Sequence, residues 1–162
     1  MAETLSVVDL LPNKFEPKRV NRYILAAEGL DLFLIKTFDR PSFTIKEVKI
    51  PWINTQRYIA GKMEFGTINM VLHDPIAPSA AQQVMEWART CTEMVSGRSG
   101  YADFYKRDLQ IKGLDGLGTT VELTDVFGAF PTSVKFSSVD YNSDEIANIS
   151  LTLRFDLSVL QF

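Results

Sequence analysis

The chain is poor in the groups that carry chemistry. Among its 162 residues there is one histidine, His73, and one cysteine, Cys91. A single histidine cannot pair with another to hold zinc, and a His/Cys metal site needs more ligands at closer spacing. One cysteine excludes an internal disulfide framework and fits a reducing compartment. A Cys–His nucleophilic pair is formally available, but Cys91 falls on the apolar side of a helical pattern, where a small core residue is expected. Bases are not in excess: 17 Lys and Arg stand against 20 Asp and Glu, for a net charge of −3. That argues against a basic surface for nucleic acid. No apolar run reaches the length of a membrane-spanning helix. The first residues, Met1, Ala2, Glu3 and Thr4, lack the basic region and apolar core of a secretion signal. The expectation is a soluble protein made in the cytoplasm.

Apparent motifs dissolve on inspection. Gly113, Gly116 and Gly118 have neither the dinucleotide-binding spacing nor the Gly-Lys-Ser/Thr ending of a phosphate loop, and no helix follows them. Asn148-Ile149-Ser150 matches a glycosylation sequon but sits inside a strand pattern. Asp140, Asp144 and Glu145 group around a turn without the spacing of a calcium loop. No catalytic residue, metal site or cofactor is expected.

What is present is ordinary globular composition, 46% hydrophobic and 23% charged, enough for one domain with a core. Alternation dominates its last third. Residues 108–112 read as a strand ended by Asp115–Gly116, a strong hairpin dipeptide. Further strands are expected over 119–126 and 132–139, parted by the Gly128-Ala129-Phe130-Pro131 stretch. A long last strand is expected over 145–157. In it Ala147, Ile149, Leu151, Leu153, Phe155 and Leu157 fall on one face, and Asn148, Ser150, Thr152, Arg154 and Asp156 on the other. Period two is the signature of a sheet with one apolar and one wet face. The plain reading is a β-sandwich strand whose outer face is solvated.

Earlier, residues 1–20 show no sustained periodicity and read as an irregular arm. Residues 20–27 and 32–38 read as a hairpin around Glu28–Asp31, and 63–73 as another long strand. One helix is expected over 79–96. Ser79 and Gln82 fit a capping box, and Val84, Trp87, Ala88, Cys91, Met94 and Val95 recur at three and four, with Gly97 as the cap beyond. Gln83, Glu86, Arg89 and Glu93 mark the polar side. Residues 98–104 read as a loop.

Residues 43–60 are less regular. Phe43 and Ile45 share one phase and Val48, Ile50 and Trp52 the other, a slip that suggests a β-bulge or a bend. Pro51 interrupts any central strand. Trp52, Ile53, Tyr58 and Ile59 surround the polar residues 54–57. Two readings stand: a loop folded back over the core, or a protruding arm that buries its aromatics against another subunit.

The ordered set of local patterns resembles the tail tube proteins of contractile-tailed bacteriophages, a family related in fold to the Hcp tubes of type VI secretion. The matching residues are Asn21-Arg22-Tyr23, Gly29-Leu30, Tyr58-Ile59-Ala60-Gly61, Asp74-Pro75, Trp87, Tyr105-Lys106-Arg107-Asp108, Leu114-Asp115-Gly116, Gly128-Ala129-Phe130-Pro131 and Asp140-Tyr141-Asn142-Ser143-Asp144-Glu145-Ile146. They span the chain from Asn21 onward. The resemblance implies a mainly β fold with one α-helix, a β-sandwich or barrel of long antiparallel strands, as one domain over 1–162. It implies edge-to-edge assembly into hexameric rings stacked as a tube, with a continuous inner β-barrel.

What the resemblance further implies is a structural, non-enzymatic subunit of a phage tail, assembled in the bacterial cytoplasm, whose lumen conducts DNA during ejection. Its partners are then further copies of itself, a sheath protein outside, a baseplate tube initiator and a tail terminator at the ends, and DNA or a tape-measure protein inside. On this reading Asn148, Ser150, Thr152, Arg154 and Asp156 line the lumen with Lys135 and Ser137. Ser133 joins them, Val134 and Phe136 turn inward, and Trp52, Ile53, Tyr58 and Ile59 join subunits. The tube of a bacterial contractile injection system fits the same pattern. From another class, a monomeric binding module would use Trp52, Tyr58 and Trp87 to line a pocket. An enzyme is disfavoured by the lack of convergent titratable groups.

Overall fold

The computed structural model describes residues 15–162. The arm expected over 1–20 lies outside that range except for 15–20, of which 15–19 have no regular structure and Val20 opens a 3-10 turn, Val20–Arg22. The fold is mainly antiparallel β with one long helix. Its strands are β1 (Tyr23–Ala27), β2 (Ile35–Phe38), β3 (Phe43–Trp52), β4 (Thr55–Phe65), β5 (Thr67–His73), β6 (Arg107–Leu114), β7 (Thr120–Phe136), β8 (Asn148–Arg154) and β9 (Leu157–Leu160). The helix α1 (Ala80–Cys91) and a single turn α2 (Ala102–Tyr105) separate β5 from β6.

Two layers share one strand. The order along the main sheet is β1-β6-β7-β8-β5-β2, with β9 beside β7. The first half of β7 pairs with β6 and β9, and its second half pairs with β8. The segments expected as two strands, 119–126 and 132–139, are thus one strand of 17 residues that passes from layer to layer. Gly128 makes this possible. Its φ is 68°, and a Cβ there would stand 2.4 Å from the Asp156 carboxylate, so the position needs glycine on both counts. The glycine signal in the sequence marked a bend, and the chain stays paired through it. The layers form a sandwich and do not close into a barrel within the subunit.

Buried side chains meet between the layers: Leu25 from β1, Leu109 and Ile111 from β6, Ile68, Met70 and Leu72 from β5, and Ile149, Leu151 and Leu153 from β8. The alternation in β8 is realised as expected for Ile149, Leu151, Leu153 and Phe155, all buried. It stops there. The chain turns at Asp156, whose N–H donates to Phe127 O at 3.0 Å, and β9 crosses to the other layer with Leu157 exposed. At its start Ala147 is exposed and lies before β8.

Three other expectations are corrected. β1 and β2 do not form a hairpin; β1 pairs with β6 and β2 with β5, at opposite ends of the strand order. A short 3-10 turn, Leu32–Leu34, carries the chain between them. The strand expected over 63–73 is divided at Gly66, so that its first residues belong to β4. The helix ends at Cys91 and not at 96, leaving Met94 and Val95 exposed. The chain folds back there because Gly100 N–H donates to Cys91 O at 3.0 Å, which takes a carbonyl at the helix end.

The start of α1 agrees with its capping signal: Ser79 Oγ accepts from Gln82 N–H at 3.4 Å. Asp74 adds a second acceptor, taking the Ala81 N–H at 3.2 Å. Trp87 is fully buried, its Nε1–H donates to Tyr105 O at 2.7 Å, and the Arg107 guanidinium lies 4.7 Å from the ring centroid. Trp87 therefore belongs to the core and Trp52 to an exposed strand, so the pocket that would unite them with Tyr58 does not exist. Trp87→Ala should lower stability by about 3–5 kcal/mol, read as a fall in the midpoint of chemical denaturation; an unchanged midpoint would contradict its core role.

Candidate assembly surfaces

The outer face of the four strands β7 (second half), β8, β5 and β2 is polar. Ser150 stands between Lys135 and Val71, Thr152 between Ser133 and Asn69, Arg154 between Phe130 and Thr67, and Asn148 opposite His73. A hydrogen-bonded row crosses it. Thr132 Oγ1 donates to Thr152 O at 3.1 Å, Thr152 Oγ1 donates to Asn69 Oδ1 at 3.1 Å, and Asn69 Nδ2 donates to Asp39 Oδ2 at 2.9 Å. The structure therefore brings Asn148, Ser150, Thr152 and Arg154 together with Lys135 on one sheet face. Asp156 is not on it: it lies past the end of β8, where its carboxylate pairs with Lys106 Nζ at 2.5 Å. Ser137 lies just past β7, its Oγ accepting the Asn148 N–H at 3.3 Å. Val134 packs against the core, whereas Phe136 is half exposed at the strand end.

This four-stranded layer has two open edges. Among the described residues, β2 pairs only with β5, and residues 131–136 of β7 pair only with β8. Unpaired strand edges are sites for pairing with another chain.

Residues 43–65 form a second, separate sheet, the hairpin β3–β4. Its register shifts between Ile45 and Glu47, but the extra residue is on β4, where Gly61 and Lys62 stand against Lys46 alone. β3 itself runs on regularly, so the phase slip in its sequence puts Phe43 and Ile45 on one face and Val48, Ile50 and Trp52 on the other. Every residue of β3 is exposed. Cross-strand pairing sets Val48 opposite Ile59 and Ile50 opposite Arg57, with Trp52 at the tip opposite Thr55, so these share one face. The guanidinium of Arg57 lies 5.9 Å from the Trp52 ring centroid, and Lys49 Nζ 5.8 Å from that of Tyr58. Ile53 makes the turn with φ 46° and is 91% exposed. Trp52, Tyr58 and Ile59 are exposed by 53–60%. The root is held by aromatic contacts, Phe43 to Phe65 at 6.5 Å and Phe65 to Phe155 at 5.6 Å, and by Gly66 N–H donating to Ser42 O at 2.8 Å.

One cluster had no signal in the sequence. Glu122 on β7 is buried, and its carboxylate takes hydrogen bonds from Lys18 and Arg40, with Tyr23 OH at 3.5 Å. Arg40 also lies 5.1 Å over the Tyr23 ring. Glu122 thereby ties the segment before β1 to the segment that leads into the hairpin. The hydrogen bond from Lys18, with the nearby Arg40 charge, holds its carboxyl below the usual carboxylate range against the opposing effect of burial. Beside it, β1, the Leu32–Leu34 turn and β2 border an apolar cleft of about 980 Å³. Burial pushes the Cys91 thiol up, the reverse of an activated nucleophile. No group of three or more His, Cys, Asp or Glu side chains able to hold a metal occurs among the described residues. No helix there is long and apolar enough to cross a membrane.

No protein-family model matches the chain, and no curated protein matches it. Solved structures do. A chain of the anti-feeding prophage cap, the tube-terminating cap, is 19% identical with a TM-score of 0.74, over 97% of this chain and 99% of that one. A chain of the sheath–tube complex of the PVC extracellular contractile injection system, in its extended state, is 19% identical with a TM-score of 0.67, over 98% and 99%. Hcp1 from Flavobacterium johnsoniae is 14% identical with a TM-score of 0.53, over 86% and 94%. The fold is that of tube and tube-terminator proteins of contractile injection systems and of Hcp.

The Glu122 cluster makes its own prediction. A carboxyl whose pKa is depressed by folding adds stability above the ordinary carboxylate range and loses it as pH falls through the depressed value. Glu122→Gln should therefore lower the melting temperature at pH 7 and reduce its fall between about pH 5 and 3. A variant with the same melting temperature as the parent at every pH would remove Glu122 from the determinants of stability.

Proposed function

We propose that this chain is the repeating subunit of the tube of a contractile tail, built as stacked hexameric rings, and that it has no enzymatic role. The observation that carries the reading is the four-stranded layer with a polar face and two open edges. Pairing β2 of one subunit with the second half of β7 of the next continues the sheet, and closure of the ring leaves neither edge of this layer exposed. The polar face then lines the lumen, with Asn148, Ser150, Thr152, Arg154, Lys135 and Ser133 upon it. Its charges are few, as suits a channel that passes DNA without gripping the phosphates. Asp156 and Ser137 stand at the margins of this lining.

The hairpin supplies the second argument. Two isolated strands are marginal in water, and this pair exposes Trp52, Ile53, Tyr58 and Ile59. Burial against a neighbouring subunit satisfies both conditions, with the aromatics as anchors. In this reading the tube is assembled in the bacterial cytoplasm and becomes part of a phage tail. A sheath surrounds it, an initiator and a terminator stand at its ends, and DNA or a tape-measure protein fills it. The neighbouring injection-system structures favour a second reading, in which the same tube carries a different cargo.

Three measurements test these statements. Electron microscopy of the purified chain should show rings or tubes with the β8 face inward; that face outside, or in the subunit core, would end the lumen assignment. The double variant Trp52→Ser, Tyr58→Ser should stay folded and soluble but fail to polymerise into filaments, and normal filaments from it would remove the hairpin from assembly. Ser150→Lys with Thr152→Lys should leave tubes that hold DNA through contacts weakening steeply with added salt and should slow DNA ejection. Unaltered DNA retention in such tubes would place both residues away from the lumen.

A further inference from the structure

The tube reading leaves open what the hairpin grips, and the inference here rests on that reading. The hairpin and the loop of residues 137–147 leave opposite ends of the same four-stranded layer. β5 begins directly after the hairpin at Thr67, opposite Arg154, and ends at His73, opposite Asn148. Phe136, the last residue of β7, pairs with Ile149 at that far end, so the connection from β7 to β8 turns there.

The two ends carry opposite charge. The hairpin has Lys46, Lys49, Arg57 and Lys62 against Glu47 and Glu64. Lys46 pairs with Glu64 at 2.5 Å and Lys49 with Glu47 at 3.4 Å, which leaves Arg57 and Lys62 without an ion pair among the described residues. The loop has Asp140, Asp144 and Glu145, no base, and no ion pair among the described residues. Beside those carboxylates it exposes Val139, Tyr141 and Ile146. Each end is thus an apolar surface set with charges of one net sign.

We infer that the hairpin of one copy docks on the 137–147 loop of a second copy in the adjacent ring. Arg57 and Lys62 then face Asp140, Asp144 and Glu145, and Val48, Ile50, Trp52 and Ile59 cover Val139, Tyr141 and Ile146. Two different patches at opposite ends make a heterologous contact, which propagates as a filament when rotation does not close it. Hairpin-to-hairpin or loop-to-loop stacking sets like charges together and is disfavoured. The contact therefore gives the tube a single polarity.

The test is a charge exchange in the full chain, with circular dichroism to verify folding of each variant. Arg57→Glu with Lys62→Glu should abolish stacked filaments in sedimentation and microscopy while rings persist. Asp140→Lys, Asp144→Lys, Glu145→Lys should do the same. Both sets in one chain should restore filaments, because the exchanged charges face each other again. A second measurement uses Arg57→Cys with Asp144→Cys in a Cys91→Ser background: oxidation should give a covalent ladder beyond the dimer, absent from either single-cysteine chain. Tubes indifferent to both reversals, no restoration by the combined set, or tubes without a ladder would overturn the docking while leaving the tube reading intact. Failure of the unaltered chain to form any ring or tube would instead refute the tube reading, and this inference with it.

Discussion

The subunit depends on one bend. β7 serves both layers, and it can do so because Gly128 takes a positive φ that a side chain would resist and leaves room for the Asp156 carboxylate. The hydrogen bonds around it are local and consistent: Asp108 Oδ1 accepts the Gly128 N–H at 3.0 Å, and Asp156 N–H returns to Phe127 O at 3.0 Å. With β7 bent there, β6 and β9 are placed on one layer and β8 on the other. The apolar faces of both layers then meet over one core, and the polar face of β8 is turned away from it.

That division explains why so much apolar surface remains exposed on a well-formed core. Leu25, Ile68, Leu109, Leu151 and Trp87 are sealed inside, whereas Val48, Ile50, Trp52 and Tyr58 stand on a hairpin that touches the core only at its root. Scattered exposed hydrophobic residues are normal, but a contiguous set on one projecting element marks a contact surface. The open edges of β2 and β7 belong to the same logic. Lys36 on β2 is the sort of edge charge that discourages indiscriminate pairing while leaving the backbone free for a specific one.

Glu122 links the two themes. A buried carboxylate without partners is costly, and here its partners come from outside the sandwich proper, Lys18 before β1 and Arg40 before the hairpin. The segment preceding β1 and the root of the hairpin are thereby fastened to the same point on β7. No periodicity announces this, since Glu122 lies in a stretch where polar and apolar residues occupy both phases. The resulting interaction belongs to the folded state alone.

The sequence by itself determined what is local. Period-two alternation over 149–155 defined the inward face of β8, Asp115–Gly116 the hairpin turn, and the Ser79 cap and the spacing through Trp87 the helix. These follow from side-chain direction and turn chemistry within a few residues. Tertiary structure decided what is non-local: that β1 and β2 part to opposite ends of the strand order, that β7 continues through Gly128, that the helix stops at Cys91, and that Asp156 leaves the polar face for Lys106. Alternation says which side of a strand is apolar, and it is silent on which strand lies beside it. Partner choice depends on how whole faces fit against one another, which no window of the sequence contains.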